Sequence, residues 1–404
     1  MGNSTEELPW SGWGLDFAEL RHSGWQPLAF REFVVKIHGL CNLACDYCYV
    51  YEMADQSWRD KPKTMSREVF DRACRMIADH AARFAVPTID LVFHGGEPLL
   101  VGTNELDYFA RTARQLLEPD IKVRLGIQTN GVLIDEDVLR VCERWDVRVG
   151  VSLDGGATEH DRHRLDRRGR GSHARVTAGL ERLLTGERRR LFAGLLCTID
   201  LANDPVRTYE SLLPFRPPAV DFLLPNGSWT TPPPGRIPDP ATAPYADWLI
   251  AIFDRWYGAP ELETRVRVFD DIIDLLLGRS AASELVGMAP VRLAVIETDG
   301  SLEQVDELKS AFDGAARIPV RGDGNQLDAA LWEPSIAARQ IGAAALADTC
   351  RACPIHTVCG GGHYVHRYQE GAGFRNPSVY CADLKKLIGH IEARVRTDLI
   401  AARA

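Results

Sequence analysis

Six β-rich runs alternate with helix-like stretches through the first half of this chain, and that alternation restricts the fold more than any other feature. The runs fall at residues 33–38, 89–93, 123–128, 147–153, 193–199 and 220–224. Helical periodicity occupies 66–85, 104–117, 135–145, 173–184 and 205–213. Ser66 stands where an N-cap is wanted, with Glu68 early in the first turn. Strand–helix–strand repeats of this kind build a parallel sheet with right-handed crossovers. The pattern alone leaves open whether that sheet curls into a barrel or stays open and doubly wound. In either arrangement, chemistry belongs at the carboxyl ends of the strands.

The chemistry-bearing motifs fall at those ends. The first strand runs into HGLCNLACDYCYVYE, where Cys41, Cys45 and Cys48 make a C-x3-C-x2-C pattern. Three thiolates so close can hold three irons of one [4Fe–4S] cluster and leave the fourth iron open, whereas clusters are usually held by four Cys. Zinc, a plain electron-transfer cluster and buried small hydrophobes are the other readings. Structural zinc wants four ligands, and no His or Cys follows at zinc-finger spacing.

The second strand ends in His94-Gly95-Gly96-Glu97-Pro98. Glycines let backbone approach a ligand closely, and a carboxylate can pair with an ammonium. The third ends in Gln128-Thr129-Asn130-Gly131, with Asn130 a candidate ligand contact, although Asn-Gly equally suits a plain turn. The fourth ends in Ser152-Leu153-Asp154-Gly155, followed by His160, Asp161 and Arg164. The stretch DRHRLDRRGRGSHAR reads mainly as a solvated loop, with one or two arginines available to an acidic peptide segment. Cys74, Cys142 and Cys197 lie within helix or strand patterns and read as core.

Residues 214–240 hold nine prolines, which excludes a continuous helix or a central strand. This segment is expected to wrap the mouth of the sheet and lead to a further domain. Residues 243–257 and 266–277 read as helices, and 292–297 with Asp299-Gly300 as a hairpin. In the tail, Cys350, Cys353, Cys359 and Cys381 follow C-x2-C-x5-C…C. Four thiolates suit a closed [4Fe–4S] cluster or a structural zinc. His363, four residues after Cys359, is either a ligand or a hydrogen-bonding histidine. The expected division is an N-terminal extension (1–32), an α/β domain with the Pro-rich linker at its end (33–240), and a helical bridge with an auxiliary-cluster domain (241–404).

Composition excludes several classes. A formal net charge of −9 argues against general nucleic-acid affinity. No apolar run approaches the roughly 20 residues of a membrane span. The first residues, MGNSTEELPWSGWG, lack the basic and apolar regions of a signal peptide, so a cytoplasmic protein is expected. Ten cysteines without an export signal read as metal ligands and core residues rather than disulfides.

C-x3-C-x2-C, Tyr47 just before its last cysteine, and GGEP after the second strand together resemble the radical S-adenosylmethionine (SAM) enzymes. The resemblance implies a partial (β/α)6 barrel with SAM chelated through its amino and carboxylate groups by the open iron. It places Tyr47 near the adenine, Gly95, Gly96 and Glu97 at the amino group, and Ser152 and Arg164 at the ribose and carboxylate. The tail resembles the SPASM extension of peptide-modifying members, in truncated form. The hairpin lacks its usual cysteine pair, reading Glu303-Gln304-Val305-Asp306 where the second would fall, and the expected C-x3-C is Cys359-x3-His363. One auxiliary [4Fe–4S] cluster on Cys350, Cys353, Cys359 and Cys381 is implied.

The run YVYEMADQSWR (49–59), Phe222-Leu223-Leu224-Pro225 and the Cys-Gly-Gly-Gly-His tail resemble the FxsB-type maturases, which form three-residue cyclophanes; the likeness covers nearly the whole chain. It implies a 5′-deoxyadenosyl radical that takes a β-hydrogen from a ribosomal precursor peptide. The carbon radical then joins an aromatic ring two residues earlier. An external donor of flavodoxin or ferredoxin type is implied, and a base is needed, for which Asp306 and Asp299 are candidates. Thioether formation, sulfatase-type formylglycine formation and a non-catalytic iron–sulfur or zinc module remain as rivals.

Overall fold

The computed structural model describes residues 17–118, 121–236, 242–281, 283–319 and 324–402. The six expected runs are β1 (Glu32–His38), β2 (Thr88–Gly95), β3 (Lys122–Thr129), β4 (Val147–Ser152), β5 (Phe192–Thr198) and β6 (Ala219–Leu223). They pair in chain order, each parallel to the next. The crossover helices arise as their sequences demand. Ser66 Oγ accepts from the amide of Val69, and the helix Arg67–Arg83 buries Phe70, Ala73, Cys74 and Ile77 at helical spacing. Asp135 and Asp204 cap Glu136–Trp145 and Pro205–Leu212 in the same way. Cys74, Cys142 and Cys197 are fully buried core residues.

Three further strands extend this sheet to nine: β7 (Arg265–Val266), β8 (Leu293–Ile296) and β9 (Leu302–Glu303), in the order β7-β6-β5-β4-β3-β2-β1-β8-β9. The expected hairpin around Asp299-Gly300 is β8–β9, and β8 lies parallel on β1, with Phe33 beside Ala294. The reason is elementary. β1 would otherwise present unpaired amides and carbonyls at a sheet edge, and the apolar LAVI run satisfies them while burying itself. One apolar core therefore runs from Phe33 and Phe93 to Phe253 and Ile388. The C-terminal helix Cys381–Ala401 packs on Pro244–Tyr257 and Arg267–Leu276. Asp383 Oδ1 accepts from the Tyr245 and Ala246 amides, satisfying two otherwise orphaned donors at the start of Pro244–Tyr257.

The Pro-rich segment crosses the carboxyl end of the sheet, held by Trp229, whose Nε1 donates to the Pro377 carbonyl at 2.7 Å. Residues 1–16 of the expected N-terminal extension, and the expected boundary at 240/241 between the α/β domain and the C-terminal one, lie outside the described residues; Phe17–His22 is a short helix. No described helix is long and apolar enough to cross a membrane.

Candidate active site at the strand ends

A cavity of ≈ 840 Å³ opens where the carboxyl ends of β1 to β6 converge. Strands β2 to β6 each contribute to its wall, and the loop that follows β1 completes it. Cys41, Cys45, Tyr47 and Cys48 enter from the loop after β1, Gly95 and Gly96 from β2, Asn130 from β3, Ser152 from β4, and Arg164 from the loop beyond. Nine of the twelve residues expected in or beside the front site thus share one chamber; Glu97, Asp299 and Asp306 do not line it.

The three front thiols are mutually close and shielded. Burial pushes Cys41 up to about 11 and Cys45 up to about 12, and raises Cys48 as well. Each would therefore release a proton on binding metal. The amide of Leu43 points at Cys41 Sγ at 3.4 Å, and Asn130 Nδ2 donates to Asn42 Oδ1 at 2.7 Å beside it. A single zinc with Zn–S of about 2.3 Å would set its sulfurs only about 3.8 Å apart. Among the described residues, the only group of ligand atoms all within 4.8 Å of one another is Glu297, Glu303 and Asp306. Neither cysteine set is so tight, which fits a multi-iron cluster better than one ion.

The double glycine has a steric cause. Gly95 lies beside His38 with φ +140°, and a Cβ there would sit 2.0 Å from the His38 carbonyl oxygen. A Cβ on Gly96 would meet the Tyr51 hydroxyl and the Leu40 backbone. The amides of Gly96 and Glu97 donate to the carbonyls of His38 and Leu40 at 2.9 Å. The end of β2 is thereby drawn against the start of the cysteine loop. Glu97 itself is fully buried beneath the cavity. Its carboxylate accepts from Thr129 Oγ1 at 2.7 Å, the Asn130 amide at 2.8 Å and the Leu99 amide at 3.0 Å. Burial raises its carboxyl to about 7 against those donors. Through these bonds Glu97 grips the end of β3.

Asp154 is the residue that sequence reasoning passed over. Its buried carboxylate accepts from the Tyr47 hydroxyl, from Arg164 Nε at 2.8 Å and from the Thr198 amide at 2.9 Å. Burial alone would raise its carboxyl, but Arg164 outweighs burial and holds it below the usual range. The Arg164 guanidinium stands 5.5 Å from the Tyr47 ring centroid. Tyr47, expected from its place in the motif, and Arg164, one of several arginines, are thus fixed by one carboxylate. The signal was present as S-L-D-G followed ten residues on by Arg164. Ser152 Oγ accepts from Gln128 Nε2 at 3.1 Å.

The two candidate bases part company. Asp299 sits at the hairpin turn, accepting from Lys61 Nζ at 2.7 Å and from the Ser301 amide at 2.9 Å, beside Arg72 and Arg75 rather than the cysteines. Asp306 belongs to a buried ion cluster. Lys36 Nζ lies 2.6 Å from both Asp306 Oδ1 and Glu297 Oε1, and Lys309 Nζ lies 2.9 Å from Glu297 and 2.7 Å from Glu303. Three carboxylates face two ammoniums, and burial pushes Glu303 up to about 7, so one proton balances the group. The ammoniums fill this trio, which is therefore no cation site. Asp306 Oδ2 also lies 3.9 Å from Nδ1 of His94, whose ring lines the cavity. His94 is a second residue that the sequence reading left unassigned.

At the rear, Cys350, Cys353, Cys359 and Cys381 come together from Asp348–Arg351, His356–Cys359, the bend between them and the start of the C-terminal helix. Their charges act on one another, and burial raises Cys350, Cys381 and, to about 11, Cys359. The donor set fits one auxiliary cluster. His363 turns away from it, with Nε2 4.0 Å from Glu284 and its ring 5.2 Å from that of His366. Arg339 Nη2 also pairs with Glu284.

Three half-buried thiols on one loop, facing an open cavity at the ends of parallel strands, are a donor set suited to an iron–sulfur cluster. Residues 35–189 match the model of the Radical SAM superfamily. The chain is 27% identical over 277 residues to a cysteine-type anaerobic sulfatase-maturating enzyme of Clostridium novyi, covering 66% of this chain and 70% of that one. It is 25% identical over 358 residues to a serine-type anaerobic sulfatase-maturating enzyme of Klebsiella aerogenes, covering 85% and 82%. In fold it is similar to native anSMEcpe with bound AdoMet (TM-score 0.75, 22% identity, 91% of this chain and 98% of that one). It is also similar to Streptococcus suis SuiB bound to precursor peptide SuiA (TM-score 0.56, 14% identity, 90% and 78%). Residues 35–189 therefore carry a radical SAM domain, and the cofactors are SAM and a [4Fe–4S] cluster.

Proposed function

We propose that this enzyme matures a ribosomally made precursor peptide, joining an aromatic ring to the β-carbon of the residue two positions later. The observation that carries the reading is the wall of the cavity. Residues 49–54 of the YVYEMADQSWR run line it directly after the cysteines. The rest of the run braces that wall. Gln56 Nε2 donates to the carbonyls of Tyr51 and Met53, Trp58 meets Tyr51 edge to face, and Asp55 accepts from the Gly314 amide. The segment on which the likeness to cyclophane-forming maturases rests is thus the segment that shapes the chamber. The relatives' names, sulfatase maturation and a precursor peptide complex, support a peptide substrate.

Cys41, Cys45 and Cys48 would hold the SAM-binding cluster and the four rear cysteines an auxiliary one, and together with SAM these groups would supply radical hydrogen abstraction and a sink for one electron. The chain's own residues position and protect. Tyr47, Asp154 and Arg164 form one side of the nucleoside end. Gly95 and Gly96 expose backbone at the amino end, with Asn130 and Ser152 opposite and Glu97 holding Asn130 in place. The proton lost when the ring regains aromaticity passes to His94, which burial keeps neutral and which Asp306 steadies once charged. Asp299 stays a turn residue.

A second reading is favoured by the curated relatives: oxidation of a cysteine or serine side chain to formylglycine. Incubation with the cognate precursor decides between them. A product lighter by two hydrogens, with an NMR correlation from a β-carbon to an aromatic carbon, supports the cyclophane. An aldehyde, or a bridge through sulfur, would move the enzyme to the second reading or to thioether formation.

A further inference from the structure

The cluster at the front must receive an electron from outside before SAM can be cleaved, and one exposed surface is built against it. Residues 161–175 hold six arginines and two aspartates, in a chain whose net charge is −9. Both aspartates are turned inward. Asp166 accepts from the amides of Arg168 and Arg170 and from the Arg170 side chain at 2.9–3.0 Å. Asp161 accepts from the amides of Ser172 and His173 at 2.8 Å. Arg162, Arg167, Arg168 and Arg170 are exposed. Two acids adjoin this ledge: His163 is hydrogen-bonded to the exposed Asp46 at 2.9 Å, and Arg162 Nε lies 3.5 Å from the half-buried Asp200, which leaves Arg167 and Arg168 as the outermost charges.

The ledge is clamped to the cysteine loop. The amide of Ala44 donates to the Leu165 carbonyl at 2.8 Å, Leu43 bridges to Asp166, and Arg167 Nε donates to the carbonyl of Cys41 at 3.1 Å. The positive surface and the cluster ligands are therefore one connected piece of backbone. A solvated loop would need neither that clamp nor that excess of one sign. Electron transfer weakens steeply with distance, so a carrier gains most by docking where the loop of ligands reaches solvent.

Resting on the radical SAM assignment, we propose that the 161–175 ledge is the docking surface for an acidic one-electron carrier protein of the flavodoxin or ferredoxin class. Each docking event passes one electron from the reduced carrier to the cluster, and no bond is made or broken. Charge steering of this kind raises association rates and fades with salt.

The test uses the reconstituted holoenzyme with Arg168→Glu, an exposed side chain that lines no part of the cavity. SAM cleavage is read with dithionite and, separately, with an acidic flavodoxin and its reductase; the affinity for the flavodoxin is measured directly. Dithionite-driven cleavage should be unchanged. Flavodoxin-driven cleavage should fall about tenfold at low salt, with a matching loss of affinity and a flattened salt dependence. Equal losses with both reductants would make the ledge structural and overturn the proposal. Unchanged flavodoxin affinity with a raised KM for precursor peptide would assign the arginines to the substrate instead. A parent enzyme that cleaves no SAM even with dithionite would remove the radical SAM assignment, and this proposal with it.

Discussion

The two cysteine regions of this chain solve opposite problems. The front set has three thiols, lies at strand ends and looks into a cavity of ≈ 840 Å³. Its neighbours are side chains that can orient a ligand: Tyr47, Asn130, Asp154 and Arg164. The rear set has four thiols, Cys350 and Cys359 on two one-turn helices, Cys353 in the bend between them and Cys381 at the start of a long helix. Arg367, whose charge acts on Cys350 and Cys359, spends its donors on the Gly360 and Gly362 carbonyls and fixes the CGGGH turn. An incomplete ligand set needs an organised chamber, whereas a complete one needs only a scaffold. Between them, the hairpin that lacks cysteines is held to β1 by the Lys36–Glu297–Lys309–Glu303 ion cluster.

Removing either set should break the comparison most sharply. With both clusters loaded, reconstituted protein should carry about eight irons. Cys41, Cys45 and Cys48 changed together to Ala should abolish 5′-deoxyadenosine formation and leave about four irons. Replacing the four rear cysteines should also leave about four irons, yet retain SAM cleavage while product formation fails. Iron content with product and nucleoside assays separates these outcomes. A parent content near twelve would show an inner cluster after all.

The ion cluster predicts the next largest effect. Lys36→Met leaves Glu297 and Asp306 buried without their shared ammonium, at a cost of about 3–5 kcal/mol in denaturant unfolding. Glu303→Gln should cost under about 1 kcal/mol at neutral pH, because Glu303 is the carboxyl whose ordinary state there already includes much of the balancing proton. Equal losses in the two variants would mean that the charges are not shared as described.

How far the sequence reached differs between the same regions. The front half was legible because strand runs, N-caps and motifs recur at fixed offsets, and β1 to β6 with their helices fall where the alternation put them. Asn130 was singled out by its place at a strand end, whereas Tyr47, Gly95 and Ser152 came from the resemblance to radical SAM enzymes. Asp154 and His94 were not assigned, since a carboxylate or imidazole in a motif carries no sign of which side chain it will face across the sheet. Asp306 was singled out, but its pairing with Lys36 links residues far apart in the chain. The union of β8 with β1 was hidden for the same reason: LAVI reads as any short strand, and only the unmet edge of β1 says where it belongs.

Two histidines, one per region, sharpen the comparison further because they titrate with opposite sign. His363 is buried near Arg339 and Arg367, and burial with those charges pushes it down to about 4. Its folded value lies below the unfolded one, so its contribution is present above the unfolded value near 6.5 and is lost as pH falls toward 4. His363→Asn should flatten the acid limb of stability between those values, by at most about 3 kcal/mol.

His163, in front, stands between Asp46 at 2.9 Å and Asp200 at 3.2 Å, one carboxylate on each ring nitrogen. Burial works against its charge, but the two carboxylates prevail and raise it above the ordinary imidazole value of 6.5. Its contribution is therefore complete below 6.5 and disappears as pH rises through the raised value. The ring is partly exposed, so the effect is small, about 0.5 kcal/mol after screening. His163→Asn should remove that alkaline loss and leave the acid limb unchanged, as read from urea midpoints across the pH range. If His163→Asn flattened the acid limb instead, the imidazolium between Asp46 and Asp200 would not exist at neutral pH. The front region would then owe nothing to charge on this ring, and the contrast between the two histidines would fall.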